Sequence, residues 1–235
     1  MVIKVYYSFF LKNYLRSHRY LREIVAILIF HIFFFGFLYT DKPDDMIWSV
    51  FAVLGLLLNM VTVPSVFLLE KGNSLHFPLI RPNGRQYFFL SKILLILSID
   101  LVWIILFSLF YGLRFLEGSY FIYLPLRLLF LSFLLLLSTF ILSMTFTYRT
   151  WVVWIVMLLI IFGGIVNKSA LFPIQSCQQI YALLTFLLPP FLEIIYSAVT
   201  LEFPFWRCLF LGVVLLQTGS YFWLNLRLIQ KKDFI

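Results

Sequence analysis

An all-α polytopic membrane protein is the fold class this sequence predicts, and three observations predict it. Hydrophobic residues make up 63% of the chain and charged residues 12%, with a mean hydropathy of +1.02. A soluble domain of 235 residues has no interior large enough for so much apolar surface. The apolar residues are gathered in runs close to the ~20 that a helix needs to cross a hydrocarbon core. Those runs do not alternate: LLFLSFLLLLSTFIL at 128–142 lacks the polar and apolar alternation of a membrane β-barrel. No polar block approaches the roughly 50 residues of an independent domain, so 1–235 reads as a single transmembrane domain.

An N-terminal interfacial helix over 1–22 is the first expected element. Lys4, Ser8, Lys12, Arg16 and Arg19 recur at helical spacing with Tyr6, Phe9, Phe10 and Tyr14 between them, the pattern of a basic amphipathic helix in the headgroup layer. The plainer alternative is a basic flank that only fixes orientation. The first apolar run carries bulky aromatics through Tyr39 and no small-residue cleavage site before TDKPDD, which argues against a cleaved signal peptide.

Six crossings follow, near 23–40, 46–69, 92–113, 122–147, 150–167 and 207–227. A seventh is suggested by the uncharged stretch 169–192, yet that stretch holds Pro173, Gln175, Gln178, Gln179 and the pair Pro189 and Pro190. Charge decides between the two counts. With six crossings, Lys4, Lys12, Arg16, Arg19, Arg22, Lys71, Arg81, Arg85, Lys92, Arg149, Arg227, Lys231 and Lys232 share one side. Lys42, Arg114, Arg127, Lys168 and Arg207 fall on the other, with Asp41, Asp44, Asp45, Glu117, Glu193 and Glu202. A seventh crossing would carry the RLIQKK tail to the acidic side. Residues 169–203 are therefore expected as a re-entrant outer hairpin, covered by protein or water at depth, and both termini as cytoplasmic.

Searches for chemistry exclude most catalytic classes. GGIVNKS at 163–169 has the Lys-Ser of a nucleotide loop but Asn167 where the second glycine belongs, so the chain is not expected to hydrolyse ATP itself. There is no HExxH, no CxxC and no pair of carboxylates within one span, and the histidines are scattered at 18, 31 and 76. No catalytic residue and no metal site is expected. Cys177 and Cys208 read as two unpaired structural cysteines or, in an oxidising compartment, a disulfide. Asn167 opens an acceptor sequon of a kind that arises often by chance.

Two ionisable residues fall inside spans. His31 and Asp100 each lie about eight residues from the cytoplasmic side, near ~12 Å depth, where they could meet as a structural tie or a proton-sensitive element. Arg127, closer to the outer boundary, can snorkel there.

The segment EKGNSLHFPLIRPNGRQYFFLSK at 70–92 separates spans two and three on the basic side. Turns at Gly72-Asn73 and Pro82-Asn83-Gly84 bracket the apolar piece LHFPLI, which describes a small helix lying across the membrane surface. This connector resembles that of ABC-2 type transporter permeases, in which an acidic residue ends the second span and is followed by a coupling helix, a Pro-x-x-Arg-like element, an aromatic and a Lys. Glu70, Arg81-Pro82-Asn83-Gly84-Arg85, Tyr87 or Phe88, and Lys92 stand at those positions. The Glu-x-x-x-Gly-Thr sequence usual there is only loosely echoed by Glu70-Lys71-Gly72-Asn73-Ser74, and Pro78 interrupts the coupling piece. An N-terminal elbow helix, six spans, the outer segment LLPPFLEIIYSA at 187–198 and the basic tail extend the likeness over most of the chain.

The resemblance implies a permease that dimerises with a second copy or a homologous permease and pairs with a separate ABC ATP-binding subunit, which would hold ATP and magnesium. Glu70, Gly72, Leu75, Phe77, Arg81, Arg85, Tyr87 and Lys92 would then form the coupling surface. Asn59, Thr62 and Pro64 in span two and Gly163 and Gly164 in span five are candidate translocation-path positions, with ordinary helix packing as the alternative at each. Pro189 and Pro190 would belong to an outer lid. Transport would be outward, and a pathway of Phe, Leu and Ile suits lipids or other amphiphiles. Membrane lipid is an expected partner and nucleic acid is not; the expected location is a bacterial plasma membrane. A self-contained carrier, resting on Asp100 and His31, and a non-transporting assembly subunit are the alternatives.

Overall fold

The computed structural model describes residues 2–34, 38, 44–68, 83–147, 189–202 and 205–231. They form seven helices and, among the described residues, no strand: α1 (Val2–Arg16), α2 (Tyr20–Phe33), α3 (Ile47–Phe67), α4 (Gly84–Phe115), α5 (Gly118–Thr147), α6 (Phe191–Thr200) and α7 (Phe205–Lys231). Three of them, α3, α4 and α5, are long and apolar enough to cross a membrane. Among the described residues the protein is thus all-helical, and its long apolar helices give it a membrane-embedded character. The predicted crossing at 150–167, and with it Gly163 and Gly164, lies outside the described residues, as do Glu70, Gly72, Leu75, Phe77 and Arg81 of the connector.

The first two helices meet at a break the sequence does not announce. Ser17 N–H donates to Asn13 O at 2.9 Å, His18 turns left-handed at φ 52°, and α2 begins at Tyr20 rather than at 23. This places Tyr14 and Glu23 side by side.

The hairpin α4–α5 is the longest continuous piece. Asn83, left-handed at φ 58°, opens α4, and its carbonyl accepts from Gln86 N and Tyr87 N, both at 3.1 Å. Asn tolerates this conformation better than most residues, because its short polar side chain hydrogen-bonds locally. The helix starts at 84, not at the expected 92, because the charges of Arg85 and Lys92 find carbonyl acceptors and need not mark its end. At the other end Leu116 adopts φ 54° and donates to Gly112 O at 3.0 Å. The chain reverses there within two residues.

Helix α3 lies at the centre, packed against α2, α4, α5 and α6. Trp48, Phe51, Leu54, Leu58, Val63 and Val66 are all buried. Burial on nearly every face explains why α3 is apolar all round instead of amphipathic. Gly55 marks a close approach: a Cβ there would stand 2.8 Å from Ile104 Cδ1 and 3.2 Å from Leu135 Cδ2, so the side-chain ends of α4 and α5 rest directly against the α3 backbone. Helix α1 packs on α4, and α7 on α5 and α4.

Of the expected outer hairpin, 189–202 is described. Pro189 and Pro190 are buried at the head of α6, which packs on α5 and α3. At ten residues, roughly 15 Å, α6 is too short to cross a bilayer.

Candidate functional site

The end of α3 and the start of α4 flank the connector, and cations hold both. The last carbonyls of a helix have no intrahelical donors and carry partial negative charge. Arg19 answers this at α3, donating from Nη1 to Ser65 O at 2.5 Å and from Nη2 to Leu68 O at 2.8 Å. Lys92 adds a bond from Nζ to Phe67 O at 3.3 Å. Only 1% exposed, its ammonium sits over three rings, 4.5 Å from the centroid of Phe88, 5.3 Å from Phe10 and 5.4 Å from Phe67. The ring faces supply the attraction that water would otherwise give. Ser91 Oγ, one residue before Lys92, lies 2.7 Å from Tyr87 O and 3.2 Å from Ile3 O, joining α1 to the same place. Arg85 donates to Gln230 O at 2.7 Å and ties the start of α4 to the last turn of α7. Two of the predicted coupling residues, Arg85 and Lys92, are therefore engaged with the protein's own helix ends, and Tyr87 stands one turn inside α4.

Deeper in the bundle is a buried polar cluster. Asp100 on α4 is 0% exposed. Its Oδ2 accepts from Asn59 Nδ2 at 2.9 Å, and its Oδ1 lies 2.7 Å from Thr62 Oγ1. Asn59 Nδ2 also donates to Thr139 Oγ1 of α5 at 2.7 Å. Glu23 of α2, likewise fully buried, accepts from the Tyr14 hydroxyl of α1, with Thr62 and Trp103 beside it. Burial, followed by the Glu23 hydrogen bond and charge, pushes the Tyr14 hydroxyl pKa well above its ordinary value. Five helices thus meet around two carboxylates, and two oxygens of the group, Glu23 Oε1 and Asn59 Oδ1, have no hydrogen-bond partner.

This places several sequence expectations. Asn59 and Thr62, expected on a translocation path, are wholly buried inside the chain's own bundle and bind Asp100. Pro64 lies within α3 and leaves one backbone position unable to donate, close to where Arg19 and Lys92 supply outside donors. His31 is not joined to Asp100 by a hydrogen bond or ion pair among the described residues; it lines a cavity of about 170 Å³ with Leu38, Phe107, Phe110, Tyr111 and Arg114. Glu23 is the residue sequence reasoning missed. A carboxylate just before an apolar run reads as a flank, and only the tight α1–α2 turn turns it inward.

At the opposite end Arg127 departs from the expected snorkelling. It is 7% exposed, bonds Asp45 Oδ1 at 2.6 Å and stands 5.4 Å from the Trp48 ring centroid. Tyr120 stacks on the same Trp48 at 5.6 Å. A carboxylate within reach makes pairing cheaper than stretching to water. Asp44, Asp45, Glu117, Ser119, Tyr120, Tyr123 and Arg127 line a cleft of about 430 Å³ there.

The fold and this site define a membrane-embedded protein, all-helical among the described residues, with a buried carboxylate cluster and cations bound at the helix ends that flank residues 69–82. No family model matches the chain, and no curated protein or solved structure matches it.

Proposed function

We propose that the chain is the transmembrane subunit of an ABC-2 type transporter, moving an amphiphilic or hydrophobic substrate outward with ATP hydrolysed on a separate subunit. The observation that carries this reading is the connector between α3 and α4. Its sequence has the acidic, Pro-Asn-Gly-Arg, aromatic and Lys order described above, and its flanks are fastened by Arg19, Lys92 and Arg85. A coupling element works only if a push on it moves helices instead of bending their ends. Capped ends, with α1 joined to α4 beside them, suit that task. In this reading six helices cross a bacterial plasma membrane, α1 is the elbow helix, both termini are cytoplasmic, and the working unit is a dimer with two ATP-binding chains.

A secondary carrier is the second reading, favoured by one observation: two buried carboxylates share an apolar interior with no basic side chain hydrogen-bonded to either among the described residues.

Purification from the native host in mild detergent, with mass spectrometry of the co-purifying chains, separates the two. The permease reading expects a stoichiometric ATP-binding subunit that is lost with Arg81→Ala. Arg85→Ala is the less clean probe, since it also releases Gln230. Recovery of the chain alone, or with a partner lacking a nucleotide site, would overturn the permease reading.

A further inference from the structure

The cleft at the end of the bundle opposite the connector is built from two layers of unlike chemistry. Its rim is acidic. Asp44 and Asp45 come from just ahead of α3, and Glu117 and Ser119 from the α4–α5 turn. Tyr120, Tyr123 and Arg127 follow at helical spacing on one face of α5. The three carboxylate residues are all exposed, and their charge outnumbers that of the one guanidinium. Asp45 Oδ1 is engaged by Arg127, and Asp44 Oδ1 accepts from Met46 N at 2.9 Å. The Glu117 carboxylate makes no ion pair or hydrogen bond among the described residues.

Behind the rim the chemistry reverses to buried donors. A guanidinium has five N–H hydrogens to give, and among the described residues Arg127 hydrogen-bonds Asp45 alone. Its Nε is buried and meets no acceptor, and the same holds for Nε1 of Trp48, whose ring centroid stands 5.4 Å from the guanidinium carbon. Trp48 is 0% exposed and Arg127 7%. Buried N–H groups in folded proteins nearly always have an acceptor. Two unmatched donors side by side, one of them on the wall of a cleft of about 430 Å³, point to an acceptor brought from outside the chain. That volume suits a small ligand or a headgroup. A simple anion would meet the acidic rim first, and a simple cation would leave the donors unmatched. A molecule carrying both charges satisfies the two layers together. Tyr123, 49% exposed, adds a ring at the rim whose face attracts an ammonium.

We propose that this cleft binds a zwitterion, its ammonium held by Asp44, Glu117 and the Tyr123 ring and its anionic oxygen by the N–H groups of Arg127 and Trp48. A phospholipid headgroup of the ethanolamine kind and a free solute such as phosphoethanolamine share this chemistry. The site goes beyond the permease and carrier readings and depends on neither.

Two assays on the full chain test the site and separate the sources. Calorimetric titration in phosphatidylglycerol nanodiscs uses soluble phosphoethanolamine, with ethanolamine alone and inorganic phosphate alone beside it. Native mass spectrometry after incubation with equimolar phosphatidylethanolamine and phosphatidylglycerol reads which lipid the chain retains. Binding of soluble phosphoethanolamine supports the proposal with a free solute as the source; selective retention of the ethanolamine lipid without it supports a headgroup. Each single ion should bind about tenfold more weakly than the zwitterion, or worse. Asp44→Asn with Glu117→Gln should weaken the binding by a similar factor, since each change removes a charge-assisted contact. Both residues are exposed, and Asn keeps an acceptor for Met46 N, so the melting temperature should not move. Trp48→Phe, which keeps a ring there and removes one donor, should weaken the zwitterion and leave ethanolamine unaffected. Failure of the zwitterion to bind in either form would overturn the proposal. So would undiminished binding by the double variant, or ethanolamine binding as tightly as phosphoethanolamine, which would make the rim a plain cation site.

Discussion

Tyr14 and Lys92 show how single side chains carry the connector end. Tyr14 keeps its proton in the folded protein beyond the pH at which a free tyrosine, with a pKa of about 10, loses it. The unfolded chain therefore releases this proton first, and stability falls as pH rises through the ordinary tyrosine range. Melting curves across alkaline pH should show that loss, and Tyr14→Phe should remove this residue's share of it. For Lys92 the three ring faces and Phe67 O act on the same ammonium. Lys92→Ala should destabilise the protein by about 2 kcal/mol, read by denaturant titration in detergent. In a linear sequence Lys92 looks like a surface charge at the mouth of a span, because nothing in its neighbours reveals that Phe10 comes back to cover it.

At the scale of the helix, the α4–α5 turn makes two opposed demands. Leu116 is left-handed and 74% exposed, so its side chain gives little packing in return for a conformation that favours glycine. Leu116→Gly should raise stability by about 1 kcal/mol. Gly112 is the reverse case: a Cβ there would come within 2.5 Å of Tyr120 Cε1, and Tyr120 stacks on Trp48. Gly112→Ala should cost about 1–3 kcal/mol and disturb the Trp48 fluorescence. Further along, Asn225 donates to Phe140 O and Tyr221 O, both at 2.9 Å, and accepts from Thr147 at 2.8 Å. Asn225→Leu should loosen α7 from α5 by about 1–3 kcal/mol, seen as earlier proteolysis of the carboxyl-terminal helix. The helices themselves are legible in the apolar runs, and α3, α4 and α5 fall within a few residues of expectation at most ends. Their starts are less legible, since Asn83 and the 116–117 turn can end or begin a helix only through backbone conformations that Asn permits and Leu merely tolerates.

For the whole molecule, membrane character is written in composition, and the connector in its turn residues and basic charge. The carboxylate cluster is not. Asp100 stands out as an intramembrane acid, yet its partners come from 38 and 41 residues upstream, and Glu23 joins only because the α1–α2 turn folds Tyr14 onto it. Helical periodicity says which face of α4 carries Asp100; it cannot say which helix that face will meet. Arg127 escaped for the same reason, its partner Asp45 lying 82 residues away.

The central claim, that 70–92 is the coupling surface of a permease, is tested most directly by placing a photo-crosslinkable residue at Leu75 in cells and identifying what it captures. The account predicts one covalent product, with an ATP-binding subunit, whose yield changes when nucleotide is trapped on that subunit. Crosslinking only to lipid, to a second copy of this chain or to a protein without a nucleotide site would contradict it.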